Sequence, residues 1–166
     1  MFLVFCLISM VMAQDWYKTT GATTSFIAVR SSAGNHRVHS GIGGWYQNCQ
    51  TSDATYRCWR GSMDLVSNGQ DIPNGLLRTK IVRPTLSMGV VLGNNPTKIG
   101  FYGGLGGQLV LGGVDNSVLL LQPGGYVSVS MQKPFGDAWM LYGNQGYFLR
   151  LWGVDVDLSI GVGRRW

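Results

Sequence analysis

The chain has 166 residues, 45% of them hydrophobic and only 13% charged, with 25 glycines and a formal net charge of +5. That length suits one domain with a real core, and the absence of Glu, with good helix formers scarce where helices would need them, argues against a helical fold. The 13 Lys and Arg residues are scattered, which leaves a weak attraction to anionic surfaces but argues against nucleic acid, whose binding grooves show basic runs.

Residues 1–13, MFLVFCLISMVMA, carry no charge and end on the small Ala13, the pattern of a cleaved signal peptide. The run is too short for a spanning helix, which needs roughly 20 apolar residues. Residues 14–166 are then read as a single all-β domain of a secreted, extracellular protein.

Beyond that segment, period two recurs and period 3.6 does not. Ser25, Ile27 and Val29 alternate with Phe26, Ala28 and Arg30 before the turn SSAGN. Trp59, Gly61, Met63 and Leu65 alternate with Arg60, Ser62 and Asp64, and SNGQDIPNG (67–75) closes that segment with two Asn-Gly turn signals. Leu86, Met88, Val90 and Leu92 face away from Thr85, Ser87 and Gly89 until GNNP (93–96) interrupts. Ile99, Phe101 and Leu105 share a face, and Val127, Val129 and Met131 alternate with Ser128 and Ser130. The clearest case is the last, where Val154, Val156, Leu158, Ile160 and Val162 alternate with Asp155, Asp157, Ser159 and Gly161. Short strands punctuated by Gly and Pro at this spacing imply a single-domain antiparallel β-sandwich or, alternatively, a closed eight-stranded β-barrel.

Cys6 leaves with the signal. Cys49 and Cys58 remain as an even pair in an oxidising compartment, on either side of what reads as a polar loop, and are expected to form a disulfide. No metal site is expected, because a structural zinc needs four ligands and His36 and His39 lie apart from the cysteines.

Enzymatic readings fare poorly. GGLGGQLVLGG (103–113) lacks dinucleotide-fingerprint spacing and opens no helix, so it reads as a glycine-relieved strand. Asp155 and Asp157 share a strand face, as paired acid catalysts would, but a solvated polar face explains them more simply. No catalytic residue and no cofactor is expected, and the protein is read as non-enzymatic.

From Pro96 onward, the order of features resembles the central region of the actinoporins, secreted sphingomyelin-binding cytolysins with a β-sandwich fold. Lys98 and Tyr102-Gly103 resemble that family's Lys followed by Tyr-x-Gly, and Gly112-Gly113-Val114 its Gly-Ala-Val strand. Pro134-Phe135, Trp139 and LYGN (141–144) follow in register, over roughly a third of the chain. The resemblance implies that Val114 and Pro134 line a headgroup pocket, that Phe135, Met140 and Tyr142 flank it, and that Trp139 inserts at the bilayer interface. Rings on a loop suit headgroup depth, where one edge is apolar and the other wet. The expected partner is a membrane lipid or a surface glycan, with oligomerisation on a membrane and a toxin-like role in view. The amphipathic pore helix has no counterpart in Gln14 to Thr24, so binding is favoured over perforation.

Two other classes fit the same residues. A matrix or lectin-like protein matches the composition without any membrane. An outer-membrane barrel would show dyad alternation, glycine-rich strands, a mature length near 150 and a terminal aromatic, which Trp166 supplies.

Overall fold

The computed structural model describes residues 16–30, 36–52, 55–72, 75–93, 96–112, 118–151 and 153–166. The segment read as a signal peptide, 1–13, and Val114 lie outside them. Eight strands follow in chain order: β1 (Trp16–Arg30), β2 (His36–Ser52), β3 (Thr55–Ile72), β4 (Gly75–Leu92), β5 (Lys98–Gly112), β6 (Val118–Phe135), β7 (Trp139–Arg150) and β8 (Gly153–Arg165). Each pairs antiparallel with its sequence neighbours, and β1 pairs with β8 from Thr19↔Arg165 to Ala28↔Val156, which closes the sheet into a barrel.

The expected sandwich is therefore corrected to the barrel alternative. A sandwich keeps free edges and buries its apolar faces between two sheets, whereas here the β1–β8 ladder removes the edges and the apolar faces turn outward. Along β8, Asp155, Asp157 and Ser159 are buried while Val154, Val156, Leu158, Ile160 and Val162 are exposed. The sequence alternation is real, but the side assigned to its polar members is reversed: Asp155 and Asp157 are not on a solvated face.

Three turn readings sharpen in the same way. The polar stretch between the cysteines is the end of the β2–β3 hairpin, with Cys49↔Cys58 and Ser52↔Thr55 in register. Of the two Asn-Gly signals in 67–75, Asn68-Gly69 stays inside β3, and Gly75 of the second opens β4. The apparent aromatic loop is mostly strand: β6 runs to Phe135, β7 restarts at Trp139, and the short connection has Gly136 at φ 63°. Glycine adopts that left-handed conformation without steric cost.

An eight-stranded barrel has an interior just wide enough for side chains to fill. Here, inward glycines make the room that inward rings use. A Cβ on Gly21 would lie 2.6 Å from Trp45 Nε1, and one on Gly163 would lie 2.7 Å from Trp45 Cζ2, so both positions must stay bare for the indole to lie across the lumen. One strand carries an interruption. Pro84 lacks an N–H, and the β4–β5 ladder skips from Val82↔Leu109 to Thr85↔Gly106, while the β3 side stays continuous through Met63↔Pro84.

Candidate functional site

The lumen is polar and filled, and its contents fall into three layers along the barrel axis. Nearest the end that carries Trp16 and Arg165, the Cys49–Cys58 disulfide packs with Val91 and Tyr102. Beside it, the Tyr102 hydroxyl donates to Gln47 Oε1 at 2.8 Å, and Gln132 Nε2 donates to the same oxygen at 3.1 Å.

The middle layer is organised by Arg60. Its guanidinium donates to the Tyr142 hydroxyl at 2.5 Å and to Ser128 Oγ at 2.7 Å, and lies 3.9 Å from the centroid of the Tyr102 ring. Tyr142 stacks on Trp45 with centroids 4.7 Å apart. Asp64, on the same inward face of β3, accepts from Ser25 Oγ at 2.5 Å.

The third layer is ionic. Arg83 pairs with Asp155 at 2.9 Å and with Asp157 at 3.7 Å, Arg150 pairs with Asp155 at 2.5 Å, and Arg83 also donates to Gln108 Oε1 across the interrupted β4–β5 ladder. The Phe148 ring covers the Arg83 guanidinium at 4.7 Å. Buried charges cost several kcal/mol each unless paired and hydrogen-bonded, and this arrangement meets that condition for both the cation and the carboxylates. A small cavity beside Arg60 and Asp64 measures about 10 Å³, room for about one water molecule. The middle of the barrel is thus a packed polar core and not an aqueous channel.

The outer wall has the opposite character. Leu105 is 74% exposed and Met88 73%, and every strand contributes further outward aliphatic or aromatic side chains. Soluble monomers rarely expose contiguous apolar patches beyond a few hundred Å². From Leu121 to Met131, the outward positions of β6 span about 33 Å along the strand, which a tilt of ~40° turns into ~25 Å of height, the apolar band of a membrane barrel. No helix among the described residues is long and apolar enough to cross a membrane, and a barrel crosses with strands.

The residues singled out from the sequence divide between these surfaces. Phe135 and Trp139 face outward at the rim, 44% and 50% exposed, beside the outward Arg164 that pairs opposite Trp139. Met140 and Tyr142 face the lumen, 5% and 4% exposed, so they are corrected from membrane contacts to core residues that pack with Trp45. The reason is strand parity: adjacent residues of one strand cannot both face the same side. Pro134 is half-buried and lines an opening at the barrel end. The lumen's organising residues, Arg60, Arg83 and Gln47, were not singled out, although Arg60 was visible as the polar partner of Trp59 and Gly61 in the alternation.

No protein-family model matches this chain, and no curated protein matches it. Solved structures do match over nearly its whole length. The Yersinia pestis attachment invasion locus protein Ail, crystallised with the heparin analogue sucrose octasulfate, is similar at a TM-score of 0.64 and 12% identity, over 92% of this chain and 99% of that one. Neisserial surface protein A is similar at 0.56 and 12%, over 90% and 95%. The outer-membrane protein OprG of Pseudomonas aeruginosa is similar at 0.55 and 12%, over 93% and 96%. At these identities the likeness concerns the fold, which is that of small outer-membrane barrels.

These matches overturn the actinoporin resemblance. A run of Gly, Pro and aromatic residues in the right order is shared by β proteins of unrelated topology, and the closed barrel with outer-membrane neighbours replaces the cytolysin sandwich. The secreted, extracellular location and the toxin-like, soluble lipid-headgroup binder are overturned with it: the similar structures are outer-membrane proteins and not secreted cytolysins.

Proposed function

We propose that this protein is an integral, non-enzymatic β-barrel of an outer membrane, with its wall in the acyl chains and a lumen sealed by side chains. The carrying observation is the inversion of polarity: Arg60, Arg83, Asp155 and Gln47 are fully enclosed while Leu86, Met88 and Leu105 face outward. Closed barrels satisfy every strand hydrogen bond without water, which is what a spanning sheet requires. Phe135, Trp139 and Trp166 at one rim fit the aromatic girdle at a membrane boundary. Residues 1–13 serve in this reading as the export signal. A surface-glycan partner has weaker support, from the net charge of +5 and from the heparin analogue bound to the structurally similar Ail.

Membrane extraction tests the proposal. Expressed with its leader, the chain is expected to stay with membranes through alkaline carbonate and to dissolve only in detergent. The folded form should run differently from the boiled form on a denaturing gel. Recovery as a monodisperse species in detergent-free buffer would overturn it.

A further inference from the structure

The barrel end that carries Trp16 and Arg165 holds a recess of about 360 Å³, within the size range of small-molecule sites. Two cations line it, Lys98 and Arg165. Lys98 is held in place by rings, its Nζ 3.9 Å from the Tyr56 centroid and 4.9 Å from that of Tyr17. Among the described residues, neither cation is part of an ion pair.

The recess also presents acceptors. Gln132 is 1% exposed and lines it, and its Oε1 has no hydrogen-bond partner, while its Nε2 is committed to Gln47. A buried amide oxygen without a donor is unfavourable, so an incoming N–H or O–H is favoured there. Asp137, exposed on the β6–β7 connection, is a second acceptor at the lip. Met140 supplies an apolar wall, and Trp139, its ring turned outward, borders the recess at the rim.

Two cations against one carboxylate leave a net charge of +1 on the charged groups lining the recess. An inorganic anion without hydroxyls, such as sulfate, would satisfy the cations but leave Gln132 Oε1 without a donor, and would meet Asp137 with like charge. A neutral sugar would satisfy Gln132 but leave Lys98 and Arg165 uncompensated. We propose that this recess binds a small hydroxylated anion, a sugar or polyol bearing one phosphate, sulfate or carboxylate. The anionic group lies between Lys98 and Arg165, hydroxyls donate to Gln132 Oε1 and Asp137, and the carbon skeleton rests on Met140. Such a group could arrive as a free metabolite or as the headgroup of a glycerophospholipid.

The test is calorimetric titration of the folded barrel in a non-ionic detergent with glucose 6-phosphate, glucose, inorganic sulfate and lysophosphatidylglycerol. Glucose 6-phosphate is expected to bind about tenfold or more tightly than either glucose or sulfate, since each lacks one charge-assisted or donor contact. Lysophosphatidylglycerol binding more tightly than glucose 6-phosphate would identify the lipid as the source, and the reverse order the free metabolite. Lys98→Met and Arg165→Gln should each weaken glucose 6-phosphate about tenfold or more, and Gln132→Leu should weaken it while sparing sulfate. Lys80→Met, at an exposed position near the other end, should change nothing. If Lys98→Met fails to fold, the exposed Arg165→Gln carries the same test. Absence of binding to both glucose 6-phosphate and the lysolipid, equal affinity for inorganic sulfate, or unchanged affinity in Arg165→Gln would each overturn the proposal. Detergent dependence of the protein bears on its membrane location alone, so failure of either idea is visible separately.

Discussion

Two arginines are buried in the same lumen by different means. Arg83 faces carboxylates, Asp155 at 2.9 Å and Asp157 at 3.7 Å, so its charge is cancelled locally. Arg60 has no carboxylate within ion-pair distance among the described residues and is held by neutral acceptors, the Tyr142 and Ser128 hydroxyls and Asn144 Oδ1 at 3.4 Å, with the Tyr102 ring against its face. The first arrangement makes each charge depend on another. The second spreads one charge over dipoles and a ring quadrupole, none of which is itself charged. Asp157 links the two, because it also accepts from Tyr126 and from Asn144 Nδ2, the residue whose oxygen meets Arg60. The difference teaches that removing Arg83 strands buried anions, whereas removing Arg60 strands only neutral groups.

Unfolding of the refolded barrel by urea in detergent micelles, followed by tryptophan fluorescence, measures that contrast. The largest loss is expected for Arg83→Leu, about 3–5 kcal/mol, the cost of leaving the partners of a buried ion pair uncompensated. Arg60→Leu should cost less, about 1–3 kcal/mol, because the hydroxyls and the amide it abandons can turn to one another or to a water. Asp157→Asn is expected to cost least, about 1 kcal/mol, since the amide oxygen still accepts from Tyr126 and Asp155 still neutralises Arg83. Equal losses for Arg83→Leu and Arg60→Leu would erase the distinction between the layers. A loss for Asp157→Asn that matched Arg83→Leu would show that Asp157, and not Asp155, is the counterion that matters.

The outer wall offers a check that does not involve the lumen. Leu105 lies at the middle of β5, opposite Leu86, with both facing outward. Leu105→Arg is expected to cost about 2–4 kcal/mol in a bilayer, as a cation at midplane does, whereas a soluble protein would tolerate it with little change. Vesicle refolding yield followed by gel mobility separates the two outcomes.

Much of the fold was legible in the sequence because strand alternation survives translation into any β architecture. Val154 to Val162 against Asp155 to Gly161 announces a strand with two unlike faces, and Gly93 to Pro96 announces a break. The hairpin partners of Cys49 and Cys58 follow from proximity in the chain. The candidate site was much less legible. The actinoporin resemblance groups Met140 and Tyr142 with Phe135 and Trp139 on one loop, but neighbouring residues on one strand point to opposite sides of the wall. Arg83 and Asp155 are 72 residues apart, and no local pattern joins them. Gln132 and Lys98 come to one recess only because β5 and β6 are paired in that register.

Period-two alternation is symmetric with respect to inside and outside. By itself the sequence of this protein determined that it is built of strands, that each strand has an apolar and a polar face, and that glycines and prolines divide them. Only the tertiary structure decided which face turns inward, because that depends on whether β1 meets β8. Once that ladder closes an eight-stranded cylinder, the face carrying Gln47, Arg60, Arg83 and Asp155 lines the interior, where these side chains reach partners from distant strands, and the Leu, Met and Val rows are left on the outer wall.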